Sequence, residues 1–299
     1  MLMAHTSYQG AQMAWKTLGF SGQRMQYPLN SMFGMVVGEQ NTGKSYLFQS
    51  NEDAFIFNMD LSSTVVPECV ATIWPGINEE GRPIDVDNKP MVLDWDKVLQ
   101  KKNQLIDMAK KESPRPQCVV FDTITPLVRM LKPWVAQQMG REKWEQCHGP
   151  AAYDRLYEEI LQIAADLRKH GYGVWFIAHL SKEIMEVSEE TTKRELTVNL
   201  SSGLTRRLTP AVEMIAPICC DVVTEMVPRK KTLKMSNGKE VEKTFHDTVT
   251  SYKRKIAFDD PRFASLIRTR TVNRMADVDL NSTSPWTQFE TAFNNANGN

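Results

Sequence analysis

Short apolar runs alternate with longer amphipathic stretches through the first two thirds of the chain. The apolar runs lie at residues 35–37, 54–59, 118–121 and 174–178. Residues 94–112 and 153–170 instead place apolar side chains at helical spacing. Strands that alternate with helices predict an α/β fold with a mostly parallel central sheet flanked by helices. Because such sheets bind ligands beyond the carboxyl ends of their strands, we expect functional residues there.

The two ends of the chain and one internal segment depart from this alternation. Residues 1–30 are polar and weakly periodic, and are predicted to form an arm before a core at residues 31–280. Within that core, residues 222–256 have the pattern of a long antiparallel hairpin with an Asn-Gly pair at its turn. The mostly polar residues 281–299 are predicted to form a flexible tail.

Composition excludes several classes of protein. The chain has 41% hydrophobic and 24% charged residues and a formal net charge of zero, so no overall basic bias points to nucleic acid. It contains no apolar run long enough to span a membrane, and its N-terminus lacks the pattern of a signal peptide. The five cysteines form no CxxC pair and no zinc-binding spacing. We therefore expect a cytoplasmic protein in a reducing compartment, without a membrane partner.

One motif points directly to chemistry. After the first apolar run the chain matches G-x-x-x-x-G-K-[ST], a loop that binds nucleotide phosphates. Its glycines let successive N–H groups point at the β-phosphate, its lysine neutralises the β- and γ-phosphates, and its serine hydroxyl is a Mg²⁺ ligand. The predicted nucleotide-binding residues are Gly38, Glu39, Gln40, Asn41, Thr42, Gly43, Lys44, Ser45 and the adjoining Tyr46.

Polar residues at the ends of the other strands complete the predicted site. Asp122 follows an apolar strand, as does the Walker B carboxylate that orients Mg²⁺, so Ser45 and Asp122 are the candidate metal ligands. Asp60 ends the second strand and is predicted to polarise the attacking water, but it could instead cap a helix, and Glu68 competes for the role. His179 ends the fourth strand and is either a sensor of the γ-phosphate or a core histidine.

Further motifs narrow the class of P-loop protein. The chain has no Asn-Lys-x-Asp motif for guanine recognition, and its one ABC-like signature, Leu200–Leu204, lies too far after Asp122. Over about residues 33–280 the chain resembles the RecA-like ATPases, in the ordered motifs GEQNTGKS, FIFNMD, CVVFDTITPL, HGPAAYDRLYEEI, VWFIAHLSKE and RTRTVNRMADVDL. The resemblance is strongest to the phage-type single-domain relatives, namely the AAA-type phage nucleotide-binding domains and Sak-like single-strand annealing ATPases.

This resemblance implies an ATPase that uses ATP and Mg²⁺, forms rings or filaments of identical subunits, and acts on single-stranded DNA in recombination or annealing. If the protein is phage-encoded, it would work in the host cytoplasm, where a single-strand DNA-binding protein is a further expected partner. The catalytic residues implied are Lys44, Asp60, Asp122 and His179. Two alternatives stay open: a ring-forming helicase-like motor or loader, and a nucleotide-gated assembly protein with negligible turnover.

The resemblance also assigns two loops to DNA, at about residues 129–150 and 181–208. Their candidate DNA-binding residues are Arg129, Lys132, Arg141, Lys143, Lys182, Arg206 and Arg207. Cations can contact phosphates while neighbouring aromatic side chains stack on bases. Charges that are merely solvated on a loop give the same sequence pattern. Arg268 and Arg270 alternate on a predicted strand and are either trans-acting arginines or a surface ion-pair row. The hairpin cations, Arg254 among them, are either a second DNA patch or charges that protect an exposed edge, and the second interpretation is preferred.

Overall fold

The computed structural model describes residues 28–59, 76–77, 83–84, 95–147, 149–188, 191–200, 202–234, 240–281 and 283–298. Its strands are β1 (Phe33–Gly38), β2 (Ala54–Asn58), β3 (Gly76–Ile77), β4 (Pro83–Ile84), β5 (Cys118–Asp122), β6 (Gly173–Ser188), β7 (Thr191–Val198), β8 (Met214–Lys234), β9 (Glu240–Ile256) and β10 (Val278–Asp279). Its helices are α1 (Lys44–Gln49), α2 (Trp95–Lys110), α3 (Ile124–Gln138), α4 (Pro150–Lys169), α5 (Ser202–Ala211) and α6 (Pro285–Asn297).

A central sheet organises these elements. Its strands lie in the order β10-β9-β8-β1-β6-β5-β2, and β7 pairs with the distal part of β6. Strands β8, β1, β6, β5 and β2 run parallel, whereas β9 is antiparallel to both β8 and β10. This arrangement confirms the predicted α/β fold with a mostly parallel sheet and an antiparallel extension. Because β6 lies between β1 and β5, Gly38 and Asp122 at the ends of β1 and β5 lie at one edge with His179, which is not the last residue of its strand as predicted, since β6 continues beyond it.

Side chains that alternate along the strands fill two hydrophobic cores, one on each face of the sheet. On one face, Met35 of β1 and Phe121 of β5 pack with side chains of α2, α3 and α4. On the other face, Val36 and Trp175 pack with α1 and α6. Every residue of β1 and β5 is buried, as expected for parallel strands covered on both faces. This cover fixes the carboxyl edge of the sheet in place.

The C-terminal residues contradict the prediction of a flexible tail over 281–299. Most of that segment forms α6, in which Trp286, Phe289 and Phe293 are almost fully buried. The Trp286 ring lies 5.4 Å from the ring of Phe48 in α1. These three aromatic residues are spaced by three and four positions, so they share one face of a helix and bury it against the core.

The N-terminal boundary also differs from its prediction. Residues 1–27 of the predicted arm lie outside the described residues. The end of the arm belongs to the core, because Leu29 is fully buried in a short 3-10 turn and Asn30 accepts a hydrogen bond of 2.8 Å from the Asn51 side chain. The core therefore begins slightly before residue 31.

The predicted hairpin is confirmed by the pairing of β8 with β9. The two strands run in antiparallel register from Ile218 opposite Ile256 out to Lys234, and the predicted turn lies outside the described residues. Near Ile218 the hairpin joins the sheet beside β1, whereas beyond Asp221 it extends as an exposed ribbon. Across the described helices, none is long and apolar enough to cross a membrane.

Candidate functional site

The predicted phosphate loop starts where β1 ends. A Cβ on Gly38, the last residue of β1, would lie 2.6 Å from the backbone oxygen of Ile218 in β8, so this close approach requires glycine. Gly43 ends the loop with a φ of 95°, a left-handed conformation that also favours glycine, and α1 begins at Lys44. The two motif glycines therefore let the chain turn sharply from strand to helix.

Side chains within the loop hold it in shape. Lys44 and Thr42 are each only 5% exposed. Both donate hydrogen bonds to the backbone carbonyl of Glu39, at 2.5 Å from Lys44 Nζ and 3.0 Å from Thr42 Oγ1. The lysine ammonium is thus held against the loop, where the motif places the β- and γ-phosphates of a nucleotide.

The loop forms one wall of a cleft of about 610 Å³. The cleft is lined by Gln40, Asn41, Gly43, Lys44, Ser45, Tyr46, Gln49, Thr123, His179 and Arg254. Within the described parts of the chain this lining contains no acidic residue, whereas Lys44 and Arg254 carry positive charge. A cleft lined by charges of one sign attracts ions of the opposite sign. This positively charged cleft therefore suits a polyphosphate.

Neighbouring strands bring the other predicted residues to the same edge. Asp122 at the end of β5 lies in register with Asn58 of β2, and His179 of β6 lies in register with Gly38. Asp122 is fully buried, while Thr123 beside it lines the cleft together with His179. The fold therefore gathers Lys44, Asp122 and His179 at one edge, as the sequence predicted.

The residues at this edge fit a magnesium ion. Ser45 and Asp122 provide a hydroxyl and a carboxylate oxygen, which are the hard donors that Mg²⁺ prefers. The buried hydroxyl of Thr123 has no hydrogen-bond partner among the described residues, so it is available to a water of the ion's shell. A bound Mg²⁺ would neutralise charge on the phosphates. Asp60 and Glu68 lie outside the described residues, and the choice between them as the catalytic acid stays a prediction.

Loop, cleft and strand order together describe a nucleotide site of the P-loop type. A family model described as an AAA domain matches residues 31–248, more than two thirds of the chain. The chain belongs to this AAA domain family. As an AAA domain it is a nucleotide-binding P-loop ATPase. No curated protein matches the chain at a significant level.

Two residues in the cleft of this AAA domain escaped the sequence reasoning. Gln49 is 5% exposed, and both atoms of its amide lack a hydrogen-bond partner among the described residues. It follows Ser45 by four residues, so helical spacing could have indicated that both face the cleft. Arg254 comes from β9, far along the chain, and only the pairing of β9 with β8 shows that it reaches the loop.

The candidate trans-acting arginines lie away from this chain's own cleft. The segment that contains them is not a strand, since Arg268 forms only an isolated bridge with Ile215 of β8. Its guanidinium donates to the backbone carbonyls of Thr209 and Pro210, at 2.8 and 3.0 Å. Arg270 pairs with Glu213 at 3.4 Å. Both arginines are thus engaged within the chain, and a role at a neighbour's site stays a prediction.

The first predicted DNA loop is largely helical. α3 continues to Gln138 because Leu127, Leu131 and Val135 recur every four residues and bury one face of the helix. Arg129 and Lys132 therefore project from a helix, and Lys132 Nζ lies 5.5 Å from the centre of the Trp144 ring. Arg141 and Lys143 follow α3 and are exposed.

The second predicted DNA loop consists of a β-hairpin and a helix. β6 runs on to Ser188 and pairs with β7, and α5 follows. Lys182 lies on β6, but its side chain is outside the described part of the structure. Arg207 pairs with Asp154 at 2.5 Å, whereas Arg206 is exposed. In their described residues both predicted DNA loops consist largely of helix and strand, and their contact with DNA stays a prediction.

Proposed function

We propose that this AAA domain is an ATPase stimulated by single-stranded DNA, and that it acts in recombination or annealing. The observation that carries the proposal is a group of cationic and aromatic side chains along α3, the helix that begins directly after Asp122 and Thr123. We call this group the α3 surface; it consists of Arg129, Lys132, Trp144 and Tyr153.

The α3 surface has the chemistry that single strands require. Trp144 and Tyr153 meet edge to face with their ring centres 5.2 Å apart, and Tyr153 is 42% exposed. Arg129, Lys132 and Tyr153 line a cleft of about 270 Å³ between α3, α4 and α5. An exposed aromatic ring can stack on a base while the flanking cations contact phosphates, and each stacked base contributes about 1–3 kcal/mol.

The α3 surface is also close enough to the nucleotide cleft to influence it. Thr123 lines that cleft and immediately precedes α3. Six residues of helix rise by about 9 Å, so Arg129 lies roughly that far along the helix axis from Thr123. Single-stranded DNA that binds Arg129 and Lys132 would therefore contact the same helix whose first residues adjoin Asp122. This short rigid connection supports coupling between DNA binding and hydrolysis.

Stimulation of ATP turnover by single-stranded DNA tests the proposal. We expect Arg129→Ala/Lys132→Ala to lose most of the stimulation, because both cations of the α3 surface are removed. Lys110→Ala/Lys111→Ala removes equal charge from the exposed end of α2 and should be stimulated like the wild type. Equal stimulation of both double variants would contradict a role for the α3 surface.

A nucleotide-gated assembly is the second candidate, and the exposed hairpin favours it. Val222, Met226 and Tyr252 are at least 60% exposed, and they lie on one face of the ribbon. A two-stranded ribbon with apolar side chains in water is at best marginally stable, so a second subunit would be a suitable cover. Light scattering with and without ATP should then show a nucleotide-dependent mass that Met226→Ser/Tyr252→Ser lowers. A monomer under both conditions would exclude this candidate.

A further inference from the structure

Arg254 places a positive charge over the phosphate loop from the base of the hairpin. It lies in register with Cys220 of β8 and lines the nucleotide cleft together with Gly43 and Lys44. A Cβ built on Gly43 would lie 3.2 Å from Arg254 Cδ, so the arginine stem lies close beside the loop. Arg254 also lines a second cleft of about 490 Å³ on the other side of the loop. It therefore separates the two clefts.

The backbone around Arg254 is held on both sides. On one side β9 pairs with β8. On the other, the Arg254 N–H donates to Asn281 Oδ1 at 3.3 Å, and the Arg254 carbonyl accepts from the Leu280 N–H at 2.9 Å. The backbone position from which the side chain reaches the cleft is consequently set before any ligand arrives, which lowers the entropic cost of binding one.

The guanidinium of Arg254 differs from the cations around it. Lys255 pairs with Asp277 at 2.7 Å, and Arg262 pairs with Asp260 and with Asp221. In the described part of the chain, the Arg254 guanidinium makes no hydrogen bond or ion pair and is exposed. The carboxylates of Asp221, Asp260 and Asp277 are thus paired with other cations, and Arg254 lines the cleft without one of these ion pairs.

We propose that Arg254 binds the phosphates of the nucleotide, so that the nucleotide links the hairpin to the phosphate loop. A guanidinium can donate two parallel hydrogen bonds to phosphate oxygens, which gives both affinity and orientation. Lys44 would approach the phosphates from the loop and Arg254 from β9. The inference rests on nucleotide binding at this loop and is independent of the proposed action on DNA.

A consequence of this link is that nucleotide would strengthen the attachment of the hairpin to the phosphate loop. The ribbon beyond Asp221 is attached to the sheet only through its base in the described structure. A ligand that binds both residues 43–45 and Arg254 would add a further restraint to that base, and its departure would remove this added restraint. The mobility of the hairpin would then depend on whether nucleotide is bound in the cleft, and a partner that contacts the hairpin would sense this difference.

Equilibrium binding of Mg²⁺–ATP and Mg²⁺–ADP by calorimetry tests the contact. Arg254→Ala should weaken binding of at least one nucleotide by about tenfold or more, as expected for loss of a hydrogen-bonded charge. Arg254→Lys should lose less, because it keeps the charge but not the paired donors. The matched control is Lys253→Ala, which removes the adjacent cation on the opposite face of β9 and should bind like the wild type. Equal affinities in Arg254→Ala and Lys253→Ala would overturn the proposal.

Limited trypsin digestion provides a readout of the link itself. In the wild type, ATP should slow cleavage at Arg229, Lys230 and Lys231 in the hairpin. In Arg254→Ala the nucleotide should have no such effect, and identical protection in both would overturn the link. Unfolding temperatures without nucleotide show whether the variant is folded. If the wild type itself bound no nucleotide, the site assignment would fail; if only Lys44→Ala lost binding, the Arg254 proposal alone would fail.

Discussion

The phosphate-loop edge and the hairpin belong to one sheet but are held in different ways. At the edge, β1 pairs with β6 on one side and β8 on the other, and its six residues are buried. Beyond Asp221, the described parts of β8 and β9 pair only with each other, and Met226 is 69% exposed. Neighbours on both sides fix the cleft, whereas the hairpin is fixed only at its base. The first region suits precise chemistry, and for the second we propose contact with partners.

Removal of one aromatic ring from the core that supports the phosphate-loop edge, and of one from the hairpin, should sharpen this comparison most. Phe289→Ala deletes a fully buried ring of α6 and should lower the free energy of unfolding by about 3–5 kcal/mol. Phe245→Ala deletes a ring that is 44% exposed on the hairpin and should cost about 0.5 kcal/mol or less. Urea unfolding measures both. Similar losses would mean that the hairpin is packed or that α6 is not part of the core.

Gln49 offers a test of whether the cleft keeps a polar group for function. Gln49→Leu removes a buried amide without a described partner and should leave stability unchanged or higher. If the amide orients water or phosphate in the cleft, ATP turnover should fall by about tenfold, which corresponds to about 1.4 kcal/mol. Gln288→Leu, on the exposed face of α6, is the control for both assays. Unchanged turnover in Gln49→Leu would show that the Gln49 amide does not contribute to hydrolysis.

The base of the hairpin should respond to acid. Hydrogen bonds from Arg262 lower the pKa of Asp260 from 3.8 to about 2. The ionised form therefore stabilises the fold above about pH 4, and this contribution is lost as the pH falls through about 2. Asp260→Asn should cost about 1 kcal/mol at pH 5, since Arg262 is half-exposed, and the difference from wild type should narrow towards pH 2. A difference that stays constant with pH would contradict this ion pair.

The sequence predicted the parts of the molecule that depend on local pattern. Four strands of the sheet, β1, β2, β5 and the first part of β6, were evident as apolar runs, and the loop from Gly38 to Ser45 was evident as a motif whose glycines have specific backbone geometry. The hairpin was evident because a turn pair lies between two strand-like segments. These features are encoded within short stretches of chain.

Features that depend on distant contacts were missed. Arg254 could not be assigned to the cleft because its place follows from the register of β9 on β8 and of β8 on β1. α6 was missed because its polar residues outnumber the three aromatic residues on its buried face. The loop predicted from about residue 129 is instead the second half of α3, because Leu127, Leu131 and Val135 at four-residue spacing bury one face of a helix.

The rate of ATP hydrolysis with and without single-stranded DNA tests the central claim most directly. Wild-type protein should hydrolyse ATP faster when DNA is present, and Lys44→Ala should be slower by about 10²–10³-fold, because it loses a charge that stabilises the transition state. Turnover retained in Lys44→Ala would contradict the site. Wild-type turnover that is indifferent to DNA would contradict the recombination role and favour an assembly ATPase.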